Sequence, residues 1–598
     1  MPMSTLTSLP VAATGGSFLV ENRVPEEVFA PEDFSDEHRQ IAATAAQFAR
    51  EEILPAVGAI EAKEPGVMRA VLRKVAELGF TSTDIPEEYG GLGMDKTASA
   101  LIADHLSVLA SVSTAFGAHV GIGTLPLVWF GTEEQKQRYL PKLATAEWVA
   151  AYALSEASSG SDAMNIRARA VLSEDGSHYV LNGEKMWITN GGIADLYTVF
   201  AKIDGEKFSA FLVERTFPGV AVGAEEHKLG IRGSSTCPLV LNDCKVPAGN
   251  LLGEAGKGHH IAFNVLNVGR FKLGVACLGG GRHALAEMVR YAKERTAFGR
   301  PIAGFGLIQR KISASAARIY AAESMCYRTV GMIDAALASL SESDAKEPKK
   351  IQKKIEEYAV ECSILKVYCS EMLSFVADEL VAAMAGYGYV EDYPAERIYR
   401  DSRINRIFEG TNEINRLIIT GWLMKRALKG ELALLPAIQK VMDEVMQPAS
   451  FDGAGGDGVP LAAEAAVLAS VRKMTLFAAG AASQRYMAAI EEQQEIMADL
   501  ADMITQVYAL ESALLRARKL VGKASAGVAA AMTGLIAEEA LAVSEQAAKR
   551  VLAASAEGDL LRTQLAILRR LAKATPADSA ALSRAVAKEC VRLERYPV

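Results

Sequence analysis

Along this chain the spacing of apolar residues changes period twice, and that change limits the folds open to it. After an arm that ends near Asp33, apolar residues recur at helical intervals, interrupted by the turn Pro86-Glu87-Glu88-Tyr89-Gly90-Gly91-Leu92-Gly93. From about Trp148 the pattern shortens to runs such as Tyr179-Val180-Leu181, Met186-Trp187-Ile188, Tyr197-Thr198-Val199-Phe200, Phe211-Leu212-Val213 and Leu239-Val240-Leu241. Asn-Gly, Asp-Gly and Pro-Gly turns separate these runs, which reads as antiparallel β structure. From about Ile261 to Ala427 long amphipathic helices return. The stretch Ser450-Phe451-Asp452-Gly453-Ala454-Gly455-Gly456-Asp457-Gly458 reads as a linker, and an Ala-rich helical region follows it. There Ile496, Leu500, Met503, Ile504, Val507, Leu510 and Leu514 form one apolar stripe, read as packing core, with a membrane-surface helix as the alternative. No internal repeat is visible. The expected fold is mainly α with a central β domain. Its parts are an arm (1–34), a helical domain (35–147), a β domain (148–260), a helical bundle (261–430), a linker (431–458) and a helical extension (459–598).

Composition removes several classes of function. With 598 residues, half of them hydrophobic and 23% charged, the chain can bury large cores. A net charge of −8 offers no broad attraction for nucleic acid. Seven cysteines without a Cys-x-x-Cys pair argue for reduced thiols and against a disulfide scaffold or a zinc site. The first twenty residues carry no Lys or Arg, which argues against a secretory signal or a transit peptide. From Leu106 to Thr132 no charged residue occurs, long enough to span a bilayer. Gly117, Gly121, Gly123 and Pro126 favour buried helices broken near the proline instead.

One decapeptide carries most of the chemistry. Arg403-Ile404-Asn405-Arg406-Ile407-Phe408-Glu409-Gly410-Thr411-Asn412 sets a single carboxylate between an aromatic ring and a glycine. Loss of water there raises the carboxyl pKa and strengthens the base, and the glycine lets the backbone approach a ligand. A surface glutamate at a helix end is the competing reading. Upstream, Tyr152-Ala153-Leu154-Ser155-Glu156-Ala157-Ser158-Ser159-Gly160-Ser161-Asp162 reads as a strand end running into a hydroxyl-rich loop. In Lys185-Met186-Trp187-Ile188-Thr189-Asn190-Gly191-Gly192, strand alternation puts Trp187 and Thr189 on one face. A flat indole beside a hydroxyl suits an aromatic cofactor; a core tryptophan is the alternative. Gly279-Gly280-Gly281-Arg282-His283-Ala284 fits a loose dinucleotide fingerprint but lacks a preceding strand. The adjacent His259 and His260 cannot place both rings on one helix face and read as exposed side chains rather than metal ligands.

Together these segments resemble the acyl-CoA dehydrogenase family across about Ser35 to Ala427. The resemblance rests on Pro86-Glu87-Glu88-Tyr89-Gly90-Gly91, Leu154-Ser155-Glu156 with Ser159-Gly160-Ser161-Asp162, Trp187-Ile188-Thr189-Asn190-Gly191-Gly192, Arg295-Thr296-Ala297-Phe298-Gly299 and Phe408-Glu409-Gly410-Thr411, in that order. It implies N-terminal helices, a middle β-barrel domain and a C-terminal helical bundle, with FAD as cofactor and acyl-CoA as substrate. Glu409 then matches the base. Tyr152, Leu154, Ser155, Gly160, Ser161, Trp187, Ile188 and Thr189 match cofactor contacts, Ser161 lying where FAD and CoA contacts meet. Arg295, Phe298, Gln309, Ala382 and Gly386 match cofactor contacts too, Arg295 and Phe298 reaching from a partner subunit. Thr411, Asn412 and Glu413 match the cofactor side of the catalytic turn. Asn267, Arg270, Phe408, Gly410 and Gly117 match substrate contacts. No metal is implied.

The arm residues Gly16-Ser17-Phe18, the run Leu266-Asn267-Val268-Gly269-Arg270-Phe271 and the extension are most similar to the very-long-chain branch. That likeness implies a homodimer, electrons passed to an electron-transfer flavoprotein, and an extension open to membrane or partner contact. The expected site is the cytoplasm or the inner face of its membrane. At Phe116-Gly117-Ala118-His119 small residues leave the acyl pocket open for long chains, or serve close helix packing. Ala382 and Ala385 replace the Gln and first Gly of the family pattern, which bears on cofactor affinity. Two other classes stay open: a scaffold or assembly protein of this family, and a flavin acyl-CoA oxidase.

Overall fold

A computed structural model describes residues 13–446 and 459–598. The first twelve residues of the arm and the glycine-rich part of the expected linker lie outside the described residues. The helical domain starts where Ser35 caps the helix Asp36–Phe48, its Oγ accepting from the His38 N–H at 3.1 Å. It continues through Val67–Glu77, Lys96–Leu106, Ala110–Gly117, Leu125–Phe130 and Glu133–Ala144. A wide π turn, Ala118–Gly123, separates two of these, and Pro126 sits in the first turn of the helix that follows. By length and composition the stretch Ala110–Phe130 could cross a bilayer, yet 78% of its apolar window is buried inside the protein.

The β domain holds β1 (Ala150–Ala153), β2 (Arg169–Leu172), β3 (His178–Thr189), β4 (Leu196–Ile203), β5 (Lys207–Glu214), β6 (Val220–Val222), β7 (Thr236–Pro247) and β8 (Leu251–Leu252). The sheet order is β6-β7-β3-β2-β4-β5-β8, with β1 alongside β4. One feature differs from the sequence expectation. β4 pairs in parallel with β1 and β2, whereas the remaining ladders are antiparallel. The ends of this order, β6 and β8, are only three and two residues long.

Beyond the sheet run the long helices of the bundle, Gly258–Glu294, Gly306–Ala338, Ala359–Met384 and Asn412–Leu428. Gly279-Gly280-Gly281 lies in mid-helix and serves packing, since a Cβ at Gly279 would stand 2.0 Å from the Asp104 carbonyl oxygen. The His259 and His260 rings, at the start of that helix, lie 4.2 Å apart, contrary to the expectation that neighbouring rings diverge. Side chains lean toward a helix N-terminus, and at the first turn no earlier turn comes between them. Among the described residues no group of His, Cys, Asp or Glu is arranged to hold a metal ion, and the seven cysteines are free and buried.

The segment expected as a linker begins with a helix, Leu434–Met446, because Leu434, Ile438, Val441, Met442 and Val445 recur at helical spacing and pack on the extension. The extension comprises Ala462–Tyr486, Gln494–Lys519, Ala526–Ser555, Gly558–Leu571 and Ser579–Leu593. All seven residues of the predicted stripe are buried within Gln494–Lys519, so the stripe is core rather than a membrane face.

A buried network of charges ties these parts together. Asp104 of the helical domain pairs with Arg282, whose other nitrogen donates to Glu323 at 2.7 Å. Glu323 also accepts from Arg516 of the extension and, at 2.9 Å, from the Tyr596 hydroxyl. Arg516 in turn donates to Glu32 of the arm at 3.0 Å. Removing one partner of a buried ion pair costs about 3–5 kcal/mol, because the other charge is left stranded. Arg516→Met should therefore lower the thermal transition and expose the extension to limited proteolysis. An unchanged melting curve and digestion pattern would contradict this role.

Candidate active site

The site is built on a strained turn. After the helix Pro394–Ser402 and the tight turn Arg403–Arg406, Glu409 and Gly410 both adopt left-handed backbone, φ 59° and 80°. Such a conformation costs a non-glycine residue about 1–2 kcal/mol and is found where something else holds it in place. Here the holder is Asn415, whose amide donates to the carbonyl oxygens of Gly410 at 2.8 Å and Thr411 at 3.0 Å, and more weakly to that of Glu409. Thr411 then caps the helix Asn412–Leu428 by accepting from the Ile414 N–H at 3.2 Å.

The turn drives the Glu409 carboxylate against the helix Gly258–Glu294. A Cβ at Gly269 would stand 2.7 Å from Glu409 Oε2, so a larger residue there would make the carboxylate shift. Oε2 is buried and has no hydrogen-bond partner. Burial pushes the carboxyl up to about 7, against the pull of the Arg270 and Lys366 cations. The arrangement is a base that is ionised near neutrality and has an oxygen free to take a proton.

Glu409 forms part of the wall of a cavity of about 140 Å³. One side is a single face of the helix Gly258–Glu294, from Gly269 through Leu273 and Ala276 to His283. Phe116, Gly117, Val120, Gly121, Thr189 and Phe408 line the cavity as well. Sequence-predicted residues Glu409, Phe408, Thr189 and Gly117 thus come together. Asn267 and Arg270 are buried next to them but do not line the cavity; the arginine donates to the asparagine at 2.9 Å.

The residues expected to hold a cofactor fall into two groups. In the first, β3 slips register by one residue between Lys185 and Ile188, and Trp187 in that bulge has φ 57°. The bulge leaves the indole 56% exposed while Ile188 is buried and Thr189 half-buried. Leu154 and Ser155 are fixed beside this strand, the Leu154 carbonyl accepting from Lys185 at 3.1 Å and that of Ser155 from the Met186 N–H at 2.9 Å. Gly160 and Ser161 lie in an exposed loop. Tyr152 packs on Phe200 at 5.0 Å and is half-buried.

The second group forms an exposed edge away from the cavity. Phe298, at the tip of a two-stranded hairpin, is 95% exposed, and Arg295 stacks over Tyr387 at 5.5 Å. Gln309 sits in the first turn of Gly306–Ala338. Ala382 and Gly386 are exposed around the end of Ala359–Met384. Between them Ala385 keeps φ 52° and ψ −130°, a conformation that only glycine enters without strain. Glu413 is exposed, whereas Asn412 is buried with its amide engaged by Lys366, Ser370 and Glu371.

Three positions escaped the sequence reading. Gly269 and Gly121 are glycines within helical patterns, where only the opposing surface reveals their use. Lys366 sits in an apolar run whose burial no periodicity of its own announces.

Comparison with known proteins follows the same division of the chain. Family models for the acyl-CoA dehydrogenase N-terminal, middle and C-terminal domains match residues 35–147, 151–244 and 256–424, and another acyl-CoA dehydrogenase C-terminal domain matches 470–570. A probable acyl-CoA dehydrogenase of Bacillus subtilis is 48% identical over 98% of both chains. The human mitochondrial very long-chain specific acyl-CoA dehydrogenase is 40% identical over 57% of this chain and 51% of its own. A crystal structure of acyl-CoA dehydrogenase complexed with FAD from Bacillus anthracis superposes with a TM-score of 0.95 at 47% identity, covering 98% of this chain and 100% of that one. The chain belongs to the acyl-CoA dehydrogenase family.

Proposed function

We propose that this protein is an FAD-dependent dehydrogenase of long-chain acyl-CoA thioesters, with Glu409 as the base, and that it passes electrons to an electron-transfer flavoprotein. The observation that carries this reading is the dry, unpartnered Oε2 of Glu409 in the wall of a largely apolar cavity. The cofactor residues suit FAD: an exposed indole in a bulge, a hydroxyl at Thr189, and glycines 160 and 386 at which a Cβ would meet nothing within 4 Å. Trp187, Thr189, Leu154, Ser155 and Ser161 would hold the flavin end. Arg295, Phe298 and Gln309 of a second copy would hold the rest, and the bare rings of Phe298 and Tyr389 support such a dimer. When bound, FAD accepts the β-hydrogen of the thioester as hydride.

The chain's own part is to move the α-proton. Glu409 takes it at Oε2, in a site where Phe408 and the acyl chain itself keep water away. The backbone N–H of Glu409 meets no acceptor among the described residues and is available to the thioester oxygen as enolate charge develops. Removing the base should slow flavin bleaching ~10²–10⁴-fold, so Glu409→Gln should retain FAD and bind acyl-CoA yet scarcely bleach. Because the carboxyl must be ionised, wild-type bleaching should rise with pH through about 7. A variant that bleaches at the wild-type rate would contradict the assignment.

The extent of the cavity's lining supports a long acyl chain. The cavity wall runs from Gly269 to His283, about 21 Å at ~1.5 Å per helical residue. That length holds an extended chain of a dozen carbons or more, at ~1.3 Å of advance per carbon. Gly117 and Gly121 favour the open pocket over close helix packing, since a Cβ at either would meet nothing within 4 Å. The similarity to the very-long-chain enzymes supports the same length class. Gly117 has ordinary helical backbone, so a larger side chain enters the cavity without strain. Gly117→Met should depress turnover of palmitoyl-CoA about tenfold while sparing octanoyl-CoA, the discrimination that a few methylenes of lost pocket produce. Equal losses on both substrates would reject the long-chain assignment.

A further inference from the structure

Two pieces of chain assigned to the flavin end, the Leu154–Ser155 turn after β1 and the Trp187 bulge of β3, are clipped together by a buried lysine. Lys185 of β3 is 0% exposed. Its ammonium donates to the Leu154 carbonyl oxygen at 3.1 Å and to Glu156 Oε1 at 2.6 Å. Glu156 is buried too, and its carboxylate also accepts the N–H groups of Arg167 at 2.6 Å and Ala168 at 3.1 Å. A carboxylate with three donors and a cation on it is fully engaged, so the lysine ends on a fixed anchor.

The lysine stands at the edge of the bulge. Lys185, opposite Leu239, is the last residue of β3 in register with β7 before the slip. Lys185 and Trp187 are two apart, which on a regular strand puts both side chains on one face. The bulge separates them: the lysine lies fully inside and the indole is left largely exposed. On the other segment, the N–H groups of Leu154 and Ser155 meet no acceptor among the described residues. Leu154 is buried, and a buried N–H without an acceptor is rare in a folded protein. The carbonyls of both residues are tied to β3, that of Leu154 by the lysine and that of Ser155 by the Met186 N–H at 2.9 Å. The Leu154 carbonyl and the Ser155 N–H belong to one planar peptide unit, so holding the oxygen fixes where the N–H points.

We propose that Lys185 is a positioning residue for the cofactor: anchored on Glu156, it fixes the Leu154–Ser155 peptide so that the Ser155 N–H is presented to the FAD ring beside Trp187. The proposal rests on the reading that Leu154, Ser155 and Trp187 hold the flavin end. An N–H aimed at a ring that gains electron density on reduction favours the reduced form. A peptide free to turn therefore binds FAD less well, and reduced FAD least.

The test is FAD release on serial dilution of the FAD-loaded full-length protein, with its two-electron reduction potential and melting temperature, for wild type, Lys185→Met and Glu156→Gln. Lys185→Met should raise the FAD dissociation constant about tenfold. It should lower the potential by ~30 mV, the equivalent of a tenfold loss of preference for the reduced form. Glu156→Gln keeps an oxygen for the ammonium, so it should lower the melting temperature while both flavin quantities stay near wild type. An ion pair that serves the fold alone would instead give flavin losses that follow the melting temperature in both variants, and that result overturns the proposal. Wild-type affinity and potential in Lys185→Met overturn it too. Should that variant fail to fold, Lys185→Met combined with Glu156→Gln strands no charge and should show the same two shifts; their absence counts equally against the proposal. Wild-type protein that takes up no FAD would refute the cofactor reading itself, and the role of Lys185 with it.

Discussion

A carboxylate kept from water without a hydrogen-bond partner is a costly group, and the molecule is organised to tolerate one at Glu409. Four separate elements combine to hold it. The turn supplies two successive left-handed residues, Asn415 ties their carbonyls, Gly269 leaves the gap into which the acid fits, and two buried cations keep it from being simply neutral. None of these features improves stability on its own. Strain, an unpaired oxygen and helical glycine all work against the folded state, and their coincidence at one side chain is the mark of a site kept for chemistry.

The remainder of the fold offsets that cost by joining its parts with buried polar contacts. Asp104, Arg282, Glu323, Arg516 and Glu32 link the helical domain, the bundle, the extension and the arm in one chain of charge. The arm adds further ties, the N–H groups of Gly15 and Gly16 reaching Glu357 and Glu361 at 2.9 and 2.7 Å. The extension is therefore integral to the packing of the bundle rather than an appendage to it.

Much of this was legible in the sequence, and what was not has a physical explanation. The order of helical, β and helical regions followed from periodicity, and the motif around Glu409 stood out because aromatic, acid and glycine are an unusual succession. The parallel pairing of β4 is not visible there, because alternation marks a strand's faces and says nothing of its neighbours' direction. The bulge at Trp187 was missed because an inserted residue leaves alternation intact on either side. An exposed and a buried asparagine look alike in sequence, and only the approach of Lys366 from a distant helix shows that Asn412 is buried. The helix Leu434–Met446 is hard to read from sequence because the glycines that follow it dominate that stretch.

The central claim is that Glu409 faces the α-carbon of a long acyl thioester inside the cavity. The most direct measurement is a crystal structure of the FAD-loaded protein with a non-oxidisable thioether analogue of palmitoyl-CoA. A carboxylate oxygen of Glu409 should then lie ~3–3.5 Å from the carbon that stands in for Cα. The alkyl chain should pass Gly117 and follow the helix face from Gly269 toward His283. An analogue whose chain lies outside that cavity, or a Glu409 side chain turned away from it toward solvent, would contradict the account.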